Sequence, residues 1–280
     1  MAWWAVDVTP STGSGAGSAL AAWLVARTGQ AVEEQGDGTL VTFAEDEATA
    51  DTLIAALAQS PDPAATARRR TLDVVDWTTR WRDGIEARRF GRLIVAPSWI
   101  DAEAGPDDAV VVVDPEMAFG TGEHGSTRAA LALLVQHLRP SDTVLDLGSG
   151  SGILSIAAVR LGAARATGIE IDGEANVVAE RNALQNGVAP SCRFLEGDAA
   201  DLAPLLGPVD LVLSNILRTV NLTLFPAISS ALRPFGLAIF SGMEEAEAPL
   251  FLPALAEGGF EPVAEVRDAG WWAVAARRRA

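Results

Sequence analysis

Thr143-Val144-Leu145-Asp146-Leu147-Gly148-Ser149-Gly150-Ser151-Gly152 decides the reading of this chain. Apolar and β-branched residues run into an acid and then into alternating glycines. The residues that follow, 153 to 161, carry a helical pattern. This is a strand, a tight turn and a helix start. Glycines let backbone N–H groups approach a ligand, because no Cβ intervenes. The helix start leaves further N–H donors aimed at the same place. Such a turn suits a nucleotide or nucleoside-like cofactor. The spacing is G-x-G-x-G, not the dinucleotide G-x-G-x-x-G.

From Thr143 on, strands and helices alternate. Strands are expected at 143–147, 166–169, 192–195, 209–214 and 237–241, with helices near 153–161, 173–186 and 222–231. The tail, 261–267 and 271–276, reads as a hairpin. The pattern predicts an α/β fold: a doubly wound, mainly parallel sheet closed by an antiparallel hairpin. That arrangement is typical of class I methyltransferases, not of dehydrogenases.

In such sheets ligands collect at the C-terminal ends of strands. The first end offers Asp146, Gly148 and Gly150, and the second Glu170. A carboxylate there suits a ribose diol, which has two O–H groups to donate. The third end gives Gly197-Asp198, where the acid could accept from an adenine amine. The fourth gives Ser214-Asn215-Ile216-Leu217. Taken singly, Asp198 could cap a turn and Asn215 could satisfy local backbone. Four polar groups at four strand ends point together to S-adenosylmethionine.

The chain of 280 residues is 49% hydrophobic, enough for a substantial core, and carries a net charge of −16. That balance argues against a grip on nucleic-acid phosphates. There is no tyrosine. A methyltransferase acting on a flipped base would need an aromatic platform after Asn215, where Ile216 and Leu217 stand instead. An amine on an aliphatic stem suits Asn-Ile-Leu better. The single cysteine, Cys192, has no partner for an internal disulfide and reads as a small buried side chain. With no apolar run of membrane-spanning length and no basic stretch before Trp3-Trp4, a cytoplasmic protein is expected. We expect a monomer, with no bound metal, membrane or nucleic acid.

Ahead of this region, residues 1–59 read as strand, helix, hairpin around Asp37-Gly38, and helix, with 71–75 available as a last strand. The order suggests a small ferredoxin-like α+β module without a catalytic constellation. Residues 60–100 read as linker and interdomain segment, starting at Ser60-Pro61-Asp62-Pro63. Arg68-Arg69-Arg70 reads as a solvated turn. Trp77 and Trp81, four apart on a helical pattern, read as packing residues. Residues 101–280 form the catalytic domain. Within it, Met117 to Thr127 is a loop rich in glycine and hydroxyls. It precedes a helix at 128–138, with Thr127 a candidate N-cap and His124 a structural residue or a base.

The chain resembles the ribosomal protein L11 methyltransferases (PrmA-like). The resemblance rests on Asp76-Trp77 with Trp81, Arg89-Phe90-Gly91-Arg92, Pro97-Ser98-Trp99 and Asp114-Pro115. It rests further on Ala118-Phe119-Gly120-Thr121-Gly122 with His124 and Thr127, on the Asp146 turn, and on Asn215-Ile216-Leu217. It implies an N-terminal substrate-recognition domain, a linker and a class I catalytic domain. It implies cofactor contacts at Thr127, Gly148, Glu170 and Asn215, with Phe119, Gly150 and Asp198 beside them. Asn215, Thr121 and His124 become the candidates for orienting the amine. The implied reaction is methyl transfer to lysine and N-terminal amines of a ribosomal protein of the large-subunit stalk base. A related branch acts on lysines of the electron-transfer flavoprotein β subunit. A non-catalytic cofactor-binding scaffold is the remaining alternative. Two departures stand out. His124-Gly125-Ser126-Thr127 replaces the usual H-P-T-T, and position 170 is Glu where Asp is commoner.

Overall fold

The computed structural model describes residues 4–11, 16–30, 32–71, 86–114 and 124–279. It divides into two compact units, Met1–Gly84 and Ile85–Ala280.

The first unit has the order β1 (Trp4–Thr9), α1 (Ala16–Thr28), β2 (Glu33–Glu34), β3 (Leu40–Ala44), α2 (Glu47–Ala56) and β4 (Thr66–Thr71). Its antiparallel sheet runs β2-β3-β1-β4. This is the βαββαβ ferredoxin-like pattern. Asp46 starts α2 by accepting from the Thr49 N–H at 2.7 Å. Val6, Val8, Leu20, Leu24, Leu40 and Leu53 form its core.

Two expectations need correction here. A strand at Thr66–Thr71 pairs with β1, so the sheet runs past the expected boundary at residue 59, while residues 72–75 of the expected last strand lie outside the described residues. Arg68, Arg69 and Arg70 are strand residues, not a turn. Period-two alternation explains how three arginines fit. Arg68 and Arg70 share one face, and both pair with the buried carboxylate of Asp7 on the neighbouring strand. Arg69 points the other way, to Glu47 and Asp51 of α2, and lies over the Trp4 ring. Part of the segment expected as linker, 60–100, carries strands. β5 (Arg88–Phe90), β6 (Leu93–Ala96) and β7 (Ala109–Val112) form a three-stranded sheet within the second unit.

The second unit continues with α3 (Gly125–His137), β8 (Thr143–Leu147), α4 (Ile153–Arg160), β9 (Arg165–Glu170), α5 (Gly173–Gln185) and β10 (Cys192–Glu196). Then come α6 (Ala199–Leu206), β11 (Val209–Asn215), α7 (Arg218–Ala231), β12 (Leu232–Glu244), α8 (Ala248–Glu257), β13 (Phe260–Asp268) and β14 (Trp271–Arg278). The seven-stranded sheet runs β10-β9-β8-β11-β12-β14-β13. The first four pairings are parallel, and β14 is antiparallel to both of its neighbours. Insertion of the last strand before the sixth distinguishes this sheet from a dinucleotide-binding one, whose order is 3-2-1-4-5-6.

Alternation along the strands divides the core into two layers. Val144, Leu211, Leu213 and Ala273 face α3 and α4, while Leu145, Leu147, Val212 and Trp272 face α7 and α8. In the second layer Phe225, Phe240, Phe251 and Phe260 pack ring against ring, with Phe225 to Phe251 at 5.4 Å between centroids. This arrangement holds the C-terminal ends of β8, β9, β10 and β11 along one edge.

Candidate active site

Those four strand ends surround a cavity of about 400 Å³, lined by Gly148, Gly150, Glu170, Asp198 and Asn215, with apolar walls from Ile153, Ile169, Ile171, Ile216 and Val220. Five of the residues read from strand ends alone therefore converge on one space.

Beneath the glycine turn lies Asp146, which is buried. Its Oδ2 accepts from the Ser155 N–H at 3.1 Å and the Ser155 hydroxyl at 2.8 Å, tying the first turn of α4 to the end of β8. Burial, added to by the nearby charge of Glu170, pushes its carboxyl up to about 7 against these bonds. At Gly148 the backbone takes φ +68°, and a Cβ there would stand 2.5 Å from the Ile216 side chain. Only glycine fits both the conformation and the contact.

Glu170 closes the turn from the second strand. One carboxylate oxygen accepts from the Gly150 N–H at 3.0 Å, and the other from Ile171 at 2.9 Å and Asp172 at 3.2 Å. Asp198 lines the cavity and also caps α6, accepting from the Ala200 N–H at 2.8 Å. Asp198 thus both caps a helix and lines the cavity.

Asn215 ends β11. Its Nδ2 donates to Thr127 Oγ1 at 3.2 Å. Its Oδ1 is buried and has no hydrogen-bond partner among the described residues. Thr127 does not cap its helix. α3 begins at Gly125 with His124 in the N-cap position, and Thr127 lies fully buried inside the first turn. The glycine at 125 has a physical reason: a Cβ would stand 2.6 Å from the Trp271 ring. His124 packs on that ring, 4.2 Å between centroids, and its Nδ1 lies 2.8 Å from Ser126 Oγ. Burial, with Arg128 beside it, holds the imidazole below its usual range. His124 is not among the residues lining the cavity. Phe119 and Thr121, and likewise Trp77 and Trp81, lie outside the described residues.

The model for the ribosomal protein L11 methyltransferase (PrmA) family matches residues 21–279. The chain belongs to that family. Ribosomal protein L11 methyltransferase of Pelotomaculum thermopropionicum is 40% identical over 221 residues, covering 79% of this chain and 71% of the relative. That of Thermus thermophilus is 41% identical over 196 residues, covering 70% and 75%. A crystal structure of the ribosomal protein L11 methylase from Lactobacillus delbrueckii subsp. bulgaricus superposes with a TM-score of 0.62 at 33% identity. It covers 70% of this chain and all of that one.

The cofactor of this methyltransferase is S-adenosylmethionine, and the cavity fits it. The glycine turn leaves room for close approach, Glu170 suits a ribose diol, and apolar walls suit an adenine ring. Among the described residues no group of side chains could hold a metal ion, and no helix is long and apolar enough to cross a membrane. Sequence reasoning missed Ser126, Asn221 and Ser241, buried polar residues packed behind Asn215. The signal for Asn221 and Ser241 was polarity beside apolar residues, and Ser126 lies in a polar stretch that hides it.

Proposed function

We propose that this protein methylates amines of ribosomal protein L11, at lysine side chains and at the N-terminus. The observation that carries the amine assignment is the unpartnered Oδ1 of Asn215 at the edge of the cofactor cavity. A buried acceptor without a donor costs roughly 1–3 kcal/mol. An incoming amine N–H satisfies it. Thr127 fixes the amide's orientation, because Nδ2 is already committed to its hydroxyl. The names of the relatives supply the substrate protein.

S-adenosylmethionine supplies an electrophilic methyl group on a sulfonium. The chain's residues do the positioning. Glu170 and Asp198 hold the nucleoside end, and the turn at Gly148 holds the methionine part. Asn215 accepts one amine N–H and so directs the nitrogen lone pair toward the methyl carbon. The N–C bond forms as the C–S bond breaks, S-adenosylhomocysteine leaves, and the proton passes to solvent. The amine must be neutral, and lysine ordinarily titrates near ~10.4. The apolar wall formed by Ile216, Val220 and Leu224 desolvates the ammonium and favours its neutral form. Catalysis on this reading is mainly proximity and orientation, with no dedicated base. His124, packed at a tilt against Trp271, serves to hold the start of α3.

The N-terminal unit, whose described residues hold no catalytic constellation, is the substrate-recognition module on this reading. The protein acts as a monomer in the cytoplasm and without direct nucleic-acid contact. The test is transfer of labelled methyl groups to purified ribosomal protein L11, with Asn215→Ala as the comparison. Label on L11 amines that falls steeply in the variant supports the reading. Near-normal turnover in the variant contradicts the role of Asn215.

A further inference from the structure

Asn215 sits inside a closed ring of buried hydrogen bonds, and one residue binds both of its chain neighbours. Ser214 Oγ donates to Asn221 Oδ1 at 2.6 Å. Asn221 Nδ2 donates to the Ile216 carbonyl at 3.0 Å and to the Ser241 carbonyl at 3.1 Å. Ser241 Oγ then donates to the Ser126 carbonyl at 2.8 Å. Ser126 precedes Thr127, whose hydroxyl accepts from Asn215. The ring thus passes from the end of β11 through α7 and β12 to α3 and back.

Ser214, Asn221, Ser241, Ser126 and Thr127 are all at most 1% exposed. In so dry a place each bond is strong and each unmade bond is costly. An asparagine amide has two N–H donors, and Asn221 commits both to backbone carbonyls. Packing adds to the constraint. Ile216 lies against Gly148 on the cofactor turn, and a Cβ at Gly242 on β12 would run into its backbone. The Asn215-Ile216 step therefore has little freedom to slide or rotate.

We infer that Asn221 is a positioning residue for Asn215, with Ser241 relaying the same constraint to the Thr127 helix. This rests on the role proposed for Asn215 above. Asn221 touches neither cofactor nor acceptor; it acts by fixing where the Asn215 amide points. A displacement of about 1 Å at such a site can cost on the order of 100-fold in rate.

The test compares Asn221→Asp and the milder Ser241→Ala, each in wild-type and Asn215→Ala backgrounds. The measurements are kcat for methyl transfer to L11, S-adenosylhomocysteine affinity and Tm. Asn221→Asp keeps the shape and removes both donors. Ser241→Ala removes only the bond to Ser126, and it keeps the test open should the first variant fold poorly. The expected result is a kcat loss of roughly tenfold or more for each variant in the wild-type background, with cofactor affinity within about threefold. In the Asn215→Ala background the same substitutions leave kcat unchanged, while Tm falls equally in both backgrounds. Losses in kcat that multiply across the two backgrounds would show a merely structural role and overturn the inference. Near-normal turnover of Asn215→Ala alone would instead overturn the reading of Asn215 on which it rests.

Discussion

Asn215 donates to Thr127 across 3.2 Å, and its own carbonyl oxygen lies buried with no donor among the described residues. The two residues lie 88 positions apart in the chain, at the end of a strand and in the first turn of a helix. Neither is isolated from the cofactor turn, because Ile216, next to Asn215, packs on Gly148. The end of β11, the first turn of α3 and the glycine turn are thus one mechanical unit.

Replacing Asn215 by alanine should lower kcat by roughly 100-fold or more, since the loss is one of orientation. S-adenosylhomocysteine affinity should stay within a few-fold. Single-turnover methyl transfer and calorimetric titration measure the two separately.

Gly148→Ala should weaken both fold and cofactor binding. The left-handed backbone alone makes a side chain there cost about 1–2 kcal/mol, and the added Cβ meets Ile216. A lower Tm together with weakened S-adenosylhomocysteine binding is the expected pair. An unchanged affinity would mean that the turn tolerates the shift.

Glu170→Ala should reduce cofactor affinity by about 10- to 100-fold, the range for losing a hydrogen bond to a charged group. It also releases the Gly150 N–H, so the turn loses its tether to β9. Because Asp keeps a carboxylate for the ribose diol, Glu170→Asp should retain most of the affinity. Equilibrium binding of all three forms checks this.

Asp146 predicts an unusual pH dependence. Its carboxyl is raised from 3.8 to about 7 in the folded protein, burial being the main cause. Between those pH values the folded chain holds a proton that the unfolded chain has lost. Stability from this group is therefore full below about pH 4, declines as pH rises, and levels off above about 7. At ~1.4 kcal/mol per pH unit the swing is a few kcal/mol. Urea unfolding at pH 5 and pH 8 should show a larger drop for the native chain than for Asp146→Asn. Parallel behaviour would mean the carboxyl ionises normally.

Much of the second unit was legible in the sequence because strands buried on both faces read as apolar runs. Thr143–Leu147 matches its expected strand to the residue, and the hairpin at 260–278 is where the pattern put it. The helices Ala199–Leu206 and Ala248–Glu257 were not anticipated. Each carries an internal proline, Pro204 and Pro253, that masks the periodicity. The strand Thr66–Thr71 was hidden by its three arginines, whose partners come from distant segments. The cavity-lining residues could be found because topology fixes where strand ends gather. The ring behind Asn215 could not, since Ser126, Asn221 and Ser241 meet only through the fold.

The central claim is amine methylation of ribosomal protein L11 directed by Asn215. Its most direct test is methyl transfer from labelled S-adenosylmethionine to purified L11, with peptide mass spectrometry locating the label. The account predicts label confined to lysine Nζ atoms and the N-terminal amine, lost with Asn215→Ala. No label on L11 while S-adenosylhomocysteine still binds, or label on a side chain other than an amine, would contradict it.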